Sequence, residues 1–344
     1  MLNKFPSFID AHVHLREPGA THKEDFYTGS RAAIAGGFTY ILDMPNNPTP
    51  TVSLERLQEK IALSKKALCE VGFHYGTNGK NMDTFESIKN NPRVFGLKLY
   101  CNHTTGEMLI EDKKILNAVF KAWNSPKPIL LHAEGNELAI AIELGRMNNK
   151  KIHVCHISQS YEVEMVRQAK KKGQMITAGV TPHHLFMTEK DREKMKGYAT
   201  MKPPLGSIKD REVLWKGLIE GTIDIVETDH APHTKEEKEK DPPAYGVPGL
   251  ETAVGLLFKA VKEKRIKVGD VVKWLYENPK NIFKIPQGAD TYIELDPEKP
   301  YRIGESGYET KCGWSPFDGW EAYGKVESVV IEGRKIMENH KILN

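Results

Sequence analysis

The feature that most constrains this chain is an alternation. Eight short apolar runs are each followed by a turn and then by a stretch whose apolar residues recur at helical spacing. The runs begin at Phe8 and continue at 38–44 (FTYILDM), 71–76, 94–101 (VFGLKLYC), 128–133 (PILLHA), 151–158 (KIHVCHIS), 174–181 and 223–228 (IDIVET). The helical stretches are expected over 24–34, 53–71, 82–89, 112–123, 136–147, 161–172, 189–196 with 209–219, and 250–263, with another over 268–276. Strands separated by helices pair in parallel, and eight such units predict a (β/α)8 barrel. An open doubly wound sheet is the runner-up, but no Gly-x-Gly-x-x-Gly follows a strand. After Phe283 the texture changes to short strands, 291–295, 300–303 and 328–331, among Gly and Pro turns. The expected organisation is a barrel over 8–284 and a small β-rich appendage from 285–344, completed by 1–7.

Composition excludes several function classes. The formal net charge of +3 on 344 residues carries no electrostatic signature of nucleic-acid binding. No apolar run approaches a membrane span, and the N-terminus lacks the apolar core of a signal peptide. Cys69, Cys101, Cys155 and Cys312 are widely spaced with no Cys-x-x-Cys, which points to a reducing, cytoplasmic setting.

Barrel enzymes work at the C-terminal ends of their strands, and that is where the polar residues of this chain gather. His12 and His14 are two apart on the first strand, so both imidazoles leave the same face. Lys98 is on the fourth, His132 ends the fifth, His156 ends the sixth and Asp229 ends the eighth. Each has an ordinary structural explanation: a hydrogen-bonded core histidine, a snorkelling lysine, a capping aspartate. All of them would have to hold at one end of one barrel. A shared metal site is the more economical reading, because imidazole and carboxylate are ligands for borderline transition metals. A neutral lysine is a poor ligand, and a bare ammonium in an apolar strand is costly. Reaction with CO2 would turn Lys98 into a carbamate able to bridge two cations as a carboxylate does.

This set resembles the amidohydrolase superfamily, and more narrowly dihydroorotase. The segments that carry the likeness are FIDAHVHLREPGATHKEDF, DMPNN, GLKLYCN, LLHAE, HVCHIS, VTPHHLF, ETDHAPHT and VPGLET, from residue 8 to residue 252. The combination of HVHLREPG, DHAPHT and PGLET is most similar to the type found as a domain of the animal multifunctional pyrimidine enzyme. The resemblance implies two Zn2+ ions, with His12, His14 and Asp229 on one and His132 and His156 on the other. N6-carboxylated Lys98 and a hydroxide would bridge them. It implies that Asp229 is the catalytic acid and base. It also implies that Arg16, Asn46 and His233 bind the substrate carboxylate, that Gly249 offers backbone hydrogen bonds to the ring, and that Thr104 contacts substrate from a cover loop over 102–107. The implied reaction is the reversible cyclisation of N-carbamoyl-L-aspartate to L-dihydroorotate with loss of water. A small-molecule substrate, a homodimer and association with aspartate transcarbamoylase belong to the same expectation; nucleic acid and membrane do not.

Three positions depart from the pattern. Lys202 stands where relatives carry Arg or Asn, a point charge in place of a planar group. Thr105 stands where the animal domain has an aromatic residue. Gly179 stands where some relatives have a glutamate associated with an extra metal, so a third metal is not expected, although Cys155 adjoins His156. His230, His183 and His184 are read as packing residues. Two other readings remain open: another cyclic amidohydrolase (allantoinase, hydantoinase or dihydropyrimidinase), or an inactive dihydroorotase-like scaffold.

Overall fold

A computed structural model of the chain describes residues 1–103, 108–286, 288 and 290–343. Fifteen strands are found among them. The first, β1 (Asn3–Pro6), lies outside the barrel. The barrel strands are β2 (Phe8–Val13), β3 (Phe38–Asp43), β4 (Glu70–Gly76), β5 (Val94–Tyr100), β6 (Ile129–His132), β7 (Ile152–Val154), β8 (Ile176–Val180) and β9 (Ile225–Val226). They run parallel in the order β2-β3-β4-β5-β6-β7-β8-β9. Across the seam the closure is thinner. Val13 and His230 form a single parallel bridge, and the His14 N–H donates to the His230 carbonyl at 2.8 Å.

The expected (β/α)8 architecture is therefore the observed one. Its filling follows from sequence: Ile9, Ala11, Tyr40, Leu42, Leu130 and Ile225 form one apolar cluster with Phe283 and Ile285. A larger cluster lies between strands and helices. The interior is a packed core, so chemistry is confined to the mouth.

Most elements fall where periodicity places them, and the differences have local causes. The stretch expected as helix to residue 71 ends at Leu63 and tightens into a 3-10 turn, Ser64–Lys66. There the Ser64 hydroxyl bonds the Ile61 carbonyl, an alternative that serine offers the backbone. The strands expected over 151–158 and 223–228 keep their ladders only over Ile152–Val154 and Ile225–Val226. Beyond them His156 and Asp229 take left-handed φ values of 35° and 48°. Two short helices were not expected: Pro182–Phe186, which carries His183 and His184 directly after the run expected over 174–181, and Lys235–Glu239.

After the barrel come β10 (Tyr292–Leu295), β11 (Pro300–Arg302), β12 (Glu321–Tyr323), β13 (Val326–Ile331), β14 (Arg334–Glu338) and β15 (Lys341–Ile342). An antiparallel sheet runs β1-β10-β13-β14-β15, with Phe5 opposite Ile293, so the first residues do join the tail. β11 and β12 form a separate ribbon. Ile303, Trp314 and Phe317, between and around them, cluster with Met187, Met201, Val247 and Leu256 at the barrel mouth. No helix among the described residues is long and apolar enough to cross a membrane.

Candidate active site

Strand ends bring the predicted donors together. His12 and His14 leave β2 on one face, and their Nε2 atoms lie 3.4 and 3.1 Å from Asp229 Oδ1. His132 Nδ1 and His156 Nε2 face each other at 3.1 Å. The His12 and His156 rings are 5.0 Å apart, which joins the two groups. Lys98 is fully buried beside them; its Nζ donates to Cys155 Sγ at 3.1 Å and has no ion pair with a carboxylate among the described residues. One cavity is walled by all six, together with Arg16, Asn46, Tyr100, Lys202 and Tyr245.

These donors fit cations. Burial, and then neighbouring positive charge, pushes His14, His132 and His156 well below the usual imidazole range. Burial and then Lys98 lower His12 to about 4. The rings are therefore neutral at physiological pH, the form that offers a lone pair. Two neutral ring nitrogens 3.1 Å apart need a proton or a cation between them, and the outer nitrogens, His132 Nε2 and His156 Nδ1, have no hydrogen-bond partner. Burial raises the Asp229 carboxyl despite His12 and Lys98 nearby.

Beside the donors is a cationic corner. Arg16, in a left-handed conformation at φ 63°, donates from Nε to the Pro232 carbonyl at 3.0 Å, and its Nη2 is 3.1 Å from His233 Nε2. Arg16 is buried and makes no ion pair among the described residues; Glu17 pairs with Lys66 instead. His233 Nδ1 is 2.9 Å from Glu237, which also pairs with Lys23 at 3.0 Å. Lys202 Nζ donates to the His103 carbonyl at 3.0 Å and lies over the Tyr245 ring. Gly249 is one layer back: its N–H donates to His230 Nδ1 at 3.2 Å. Thr104 and Thr105 lie outside the described residues.

Several supporting groups were not legible in the sequence. Asp43 and Lys60 form a fully buried ion pair at 2.6 Å. Lys60 also donates to the Met44 carbonyl and Asn47, and Asp43 accepts the Leu15 N–H, so the pair fixes the turn carrying Asn46 and the start of the Arg16 loop. Lys60→Met leaves Asp43 buried and unpaired, and a loss of about 3–5 kcal/mol is expected. A denaturant midpoint close to that of the unaltered protein would contradict this. Tyr100 presents a buried hydroxyl without a partner, and Glu227 a fully buried carboxylate. Burial alone would raise Glu227, but His12 and His153 hold it well below the usual carboxylate range. The available signal was an acid inside the apolar run IDIVET.

A cluster of imidazoles, lysine and aspartate at the C-terminal mouth of a (β/α)8 barrel defines a metal-dependent hydrolase, and the comparisons with known proteins agree. The model of the Amidohydrolase family matches residues 4–289. Dihydroorotase of Pyrococcus abyssi (strain GE5 / Orsay) is 34% identical over 363 residues, covering 98% of this chain and 84% of that protein. Multifunctional protein CAD of Squalus acanthias is 40% identical over 335 residues, 96% of this chain. The chain spans 15% of the length of the multifunctional relatives it matches. Among solved structures, L-hydantoinase (dihydropyrimidinase) from Arthrobacter aurescens superposes with a TM-score of 0.93 at 22% identity, covering 99% of this chain and 86% of that one. The inactive dihydroorotase-like domain of the Chaetomium thermophilum CAD-like multifunctional protein gives 0.84 at 23%, covering 100% and 97%. Those two likenesses speak to the fold. The chain belongs to the amidohydrolase family, among its dihydroorotase members.

Proposed function

We propose that this chain catalyses the reversible cyclisation of N-carbamoyl-L-aspartate to L-dihydroorotate with loss of water, the third step of de novo pyrimidine (UMP) biosynthesis. The observation that carries the reading is the buried Arg16 guanidinium, without a carboxylate partner among the described residues, beside Asn46 and His233 at the edge of the metal-donor cluster. A ring bearing an acid group answers that charge; a neutral hydantoin or dihydrouracil does not.

Two zinc ions would be held, one by His12, His14 and Asp229 and one by His132 and His156, with carboxylated Lys98 shared between them. Bound there, zinc supplies Lewis acidity toward the ring carbonyl and an activated water. Asp229 holds the proton that moves: during ring opening it takes that proton from the attacking water and delivers it to the leaving ring nitrogen. During ring closure it takes the proton from the attacking carbamoyl nitrogen and passes it to the carboxylate oxygen that departs as the C–O bond breaks. Arg16 grips the substrate carboxylate, His233 and Asn46 hold the same group, and none of the three makes or breaks a bond; they fix position. Glu237 and Lys23 orient the His233 ring from behind. The four cysteines, all unpaired, are consistent with a cytoplasmic setting. A homodimer and association with aspartate transcarbamoylase are part of the same proposal.

The test is turnover of L-dihydroorotate against hydantoin, dihydrouracil and allantoin, with metal analysis of the same sample. Preference for a neutral ring would overturn the substrate assignment. A metal-free, inactive protein would favour a scaffold; the six candidate donors lining one cavity support the enzyme reading. Arg16→Met is expected to raise KM by about a hundredfold, as loss of a buried charged contact costs roughly 2–5 kcal/mol. Its metal content should not change; if only metal content fell, Arg16 would belong to the metal site rather than to the substrate.

A further inference from the structure

We propose that Glu227 is a positioning residue that orients one ligand from each half of the donor cluster, His12 and His156, and that Gly179 exists to make room for it. The proposal rests on the reading above in one respect, that these two histidines hold cations.

Glu227 follows β9 directly and is fully buried. Its Oε1 accepts the backbone N–H of His156 at 2.6 Å. That bond secures a residue whose φ of 35° is one few side chains adopt. The same oxygen faces His12 Nδ1 at 3.7 Å, and His12 Nδ1 has no hydrogen-bond partner. Oε2 lies 3.4 Å from His153 Nε2. A neutral imidazole carries one N–H. An anion on the Nδ1 side of His12 draws that hydrogen to Nδ1 and leaves the lone pair on Nε2, the atom that faces Asp229 across the cavity. Carboxylates behind metal-binding histidines act in this way, and losing one typically costs about 10- to 100-fold in metal affinity.

The space for Glu227 comes from the neighbouring strand. A Cβ on Gly179 would fall 2.4 Å from Glu227 Oε1 and 2.5 Å from its Cδ. Any side chain at 179 would displace the carboxylate, and with residue 227 cut back to alanine the freed space directly adjoins Cβ of residue 179. The geometry thus predicts that the carboxylate can be supplied from either strand.

The experiment measures zinc retention against a competing chelator, without substrate, in the full chain. Glu227→Gln keeps the shape and the acceptor for His156 but loses the anion, and zinc affinity is expected to fall by about 10- to 100-fold. Moving the acid, as Gly179→Glu with Glu227→Ala, is expected to restore most of that loss, which a purely space-filling role would not produce. Should Glu227→Gln fail to fold, Gly179→Ala tests the same contact by pushing the carboxylate aside, with the same expected loss. Unchanged zinc retention in these variants would overturn the proposal. So would a third zinc equivalent in the unaltered protein that disappears in Cys155→Ser, because His12, Cys155 and Glu227 lie within 4.8 Å and Glu227 would then be a ligand itself. Failure of the functional reading would look different: zinc bound as expected, and no turnover of dihydroorotate.

Discussion

Asp229→Asn is expected to keep its metal and lose its turnover. Asn retains an Oδ1 where Asp229 faces His12 and His14 at 3.4 and 3.1 Å, so a ligand atom survives. The amide neither takes up nor releases a proton near neutral pH. A positioned acid–base group contributes about 10²- to 10⁴-fold, and here one group serves both the attacking and the leaving atom, so kcat should fall toward the larger figure. Burial raises the Asp229 carboxyl above its ordinary range, and His12, Lys98 and Arg16 oppose that shift. The measurement is kcat in both directions alongside zinc content. Near-normal turnover with zinc in place would remove Asp229 from the proton path.

Lys98→Ala is expected to be more severe, because on the proposed reading it removes the donor shared by both halves of the cluster. Lewis-acid stabilisation is worth several kcal/mol, and each 1.36 kcal/mol is a factor of ten, so activity should drop by about 10⁴-fold or more together with zinc content. The unaltered lysine is buried with no carboxylate ion pair among the described residues, a costly arrangement for an ammonium. Carboxylation removes that cost. Reconstitution of the metal-free protein with zinc should therefore depend on bicarbonate. Equal reconstitution in its absence would argue against the carbamate.

The six candidate donors were legible because each is a polar residue inside or at the end of an apolar run, a position that burial makes expensive unless something binds there. The supporting groups were harder to see. Lys60 falls in an amphipathic helix and reads as a solvated residue; only the fold shows that Asp43, 17 positions earlier, meets it in the core. Tyr100 reads as an ordinary strand residue, and Glu227 could not be tied to Gly179 without knowing that β8 and β9 are neighbours. Strand ends were blurred at His156 and Asp229, because hydrophobic period says nothing about where a chain turns into a left-handed conformation. Gly249 was expected to face the substrate, whereas its N–H is directed to His230. The short helix Pro182–Phe186 was hidden because five residues are too few to show a helical period.

The late part of the chain is built into the early part. Trp314 Nε1 donates to the His233 carbonyl at 2.7 Å, and Glu24 accepts hydrogen bonds from the Thr310 hydroxyl and the Lys311 N–H. Among the described residues β1 pairs only with β10. During synthesis on the ribosome, every candidate metal donor, the last being Asp229, precedes residues 292–314. The nascent barrel must therefore wait with an unpaired leading strand and an unbraced His233 loop. A product ended before residue 292 would lack the strand that pairs with β1 and the brace on the His233 loop, even with every candidate donor present.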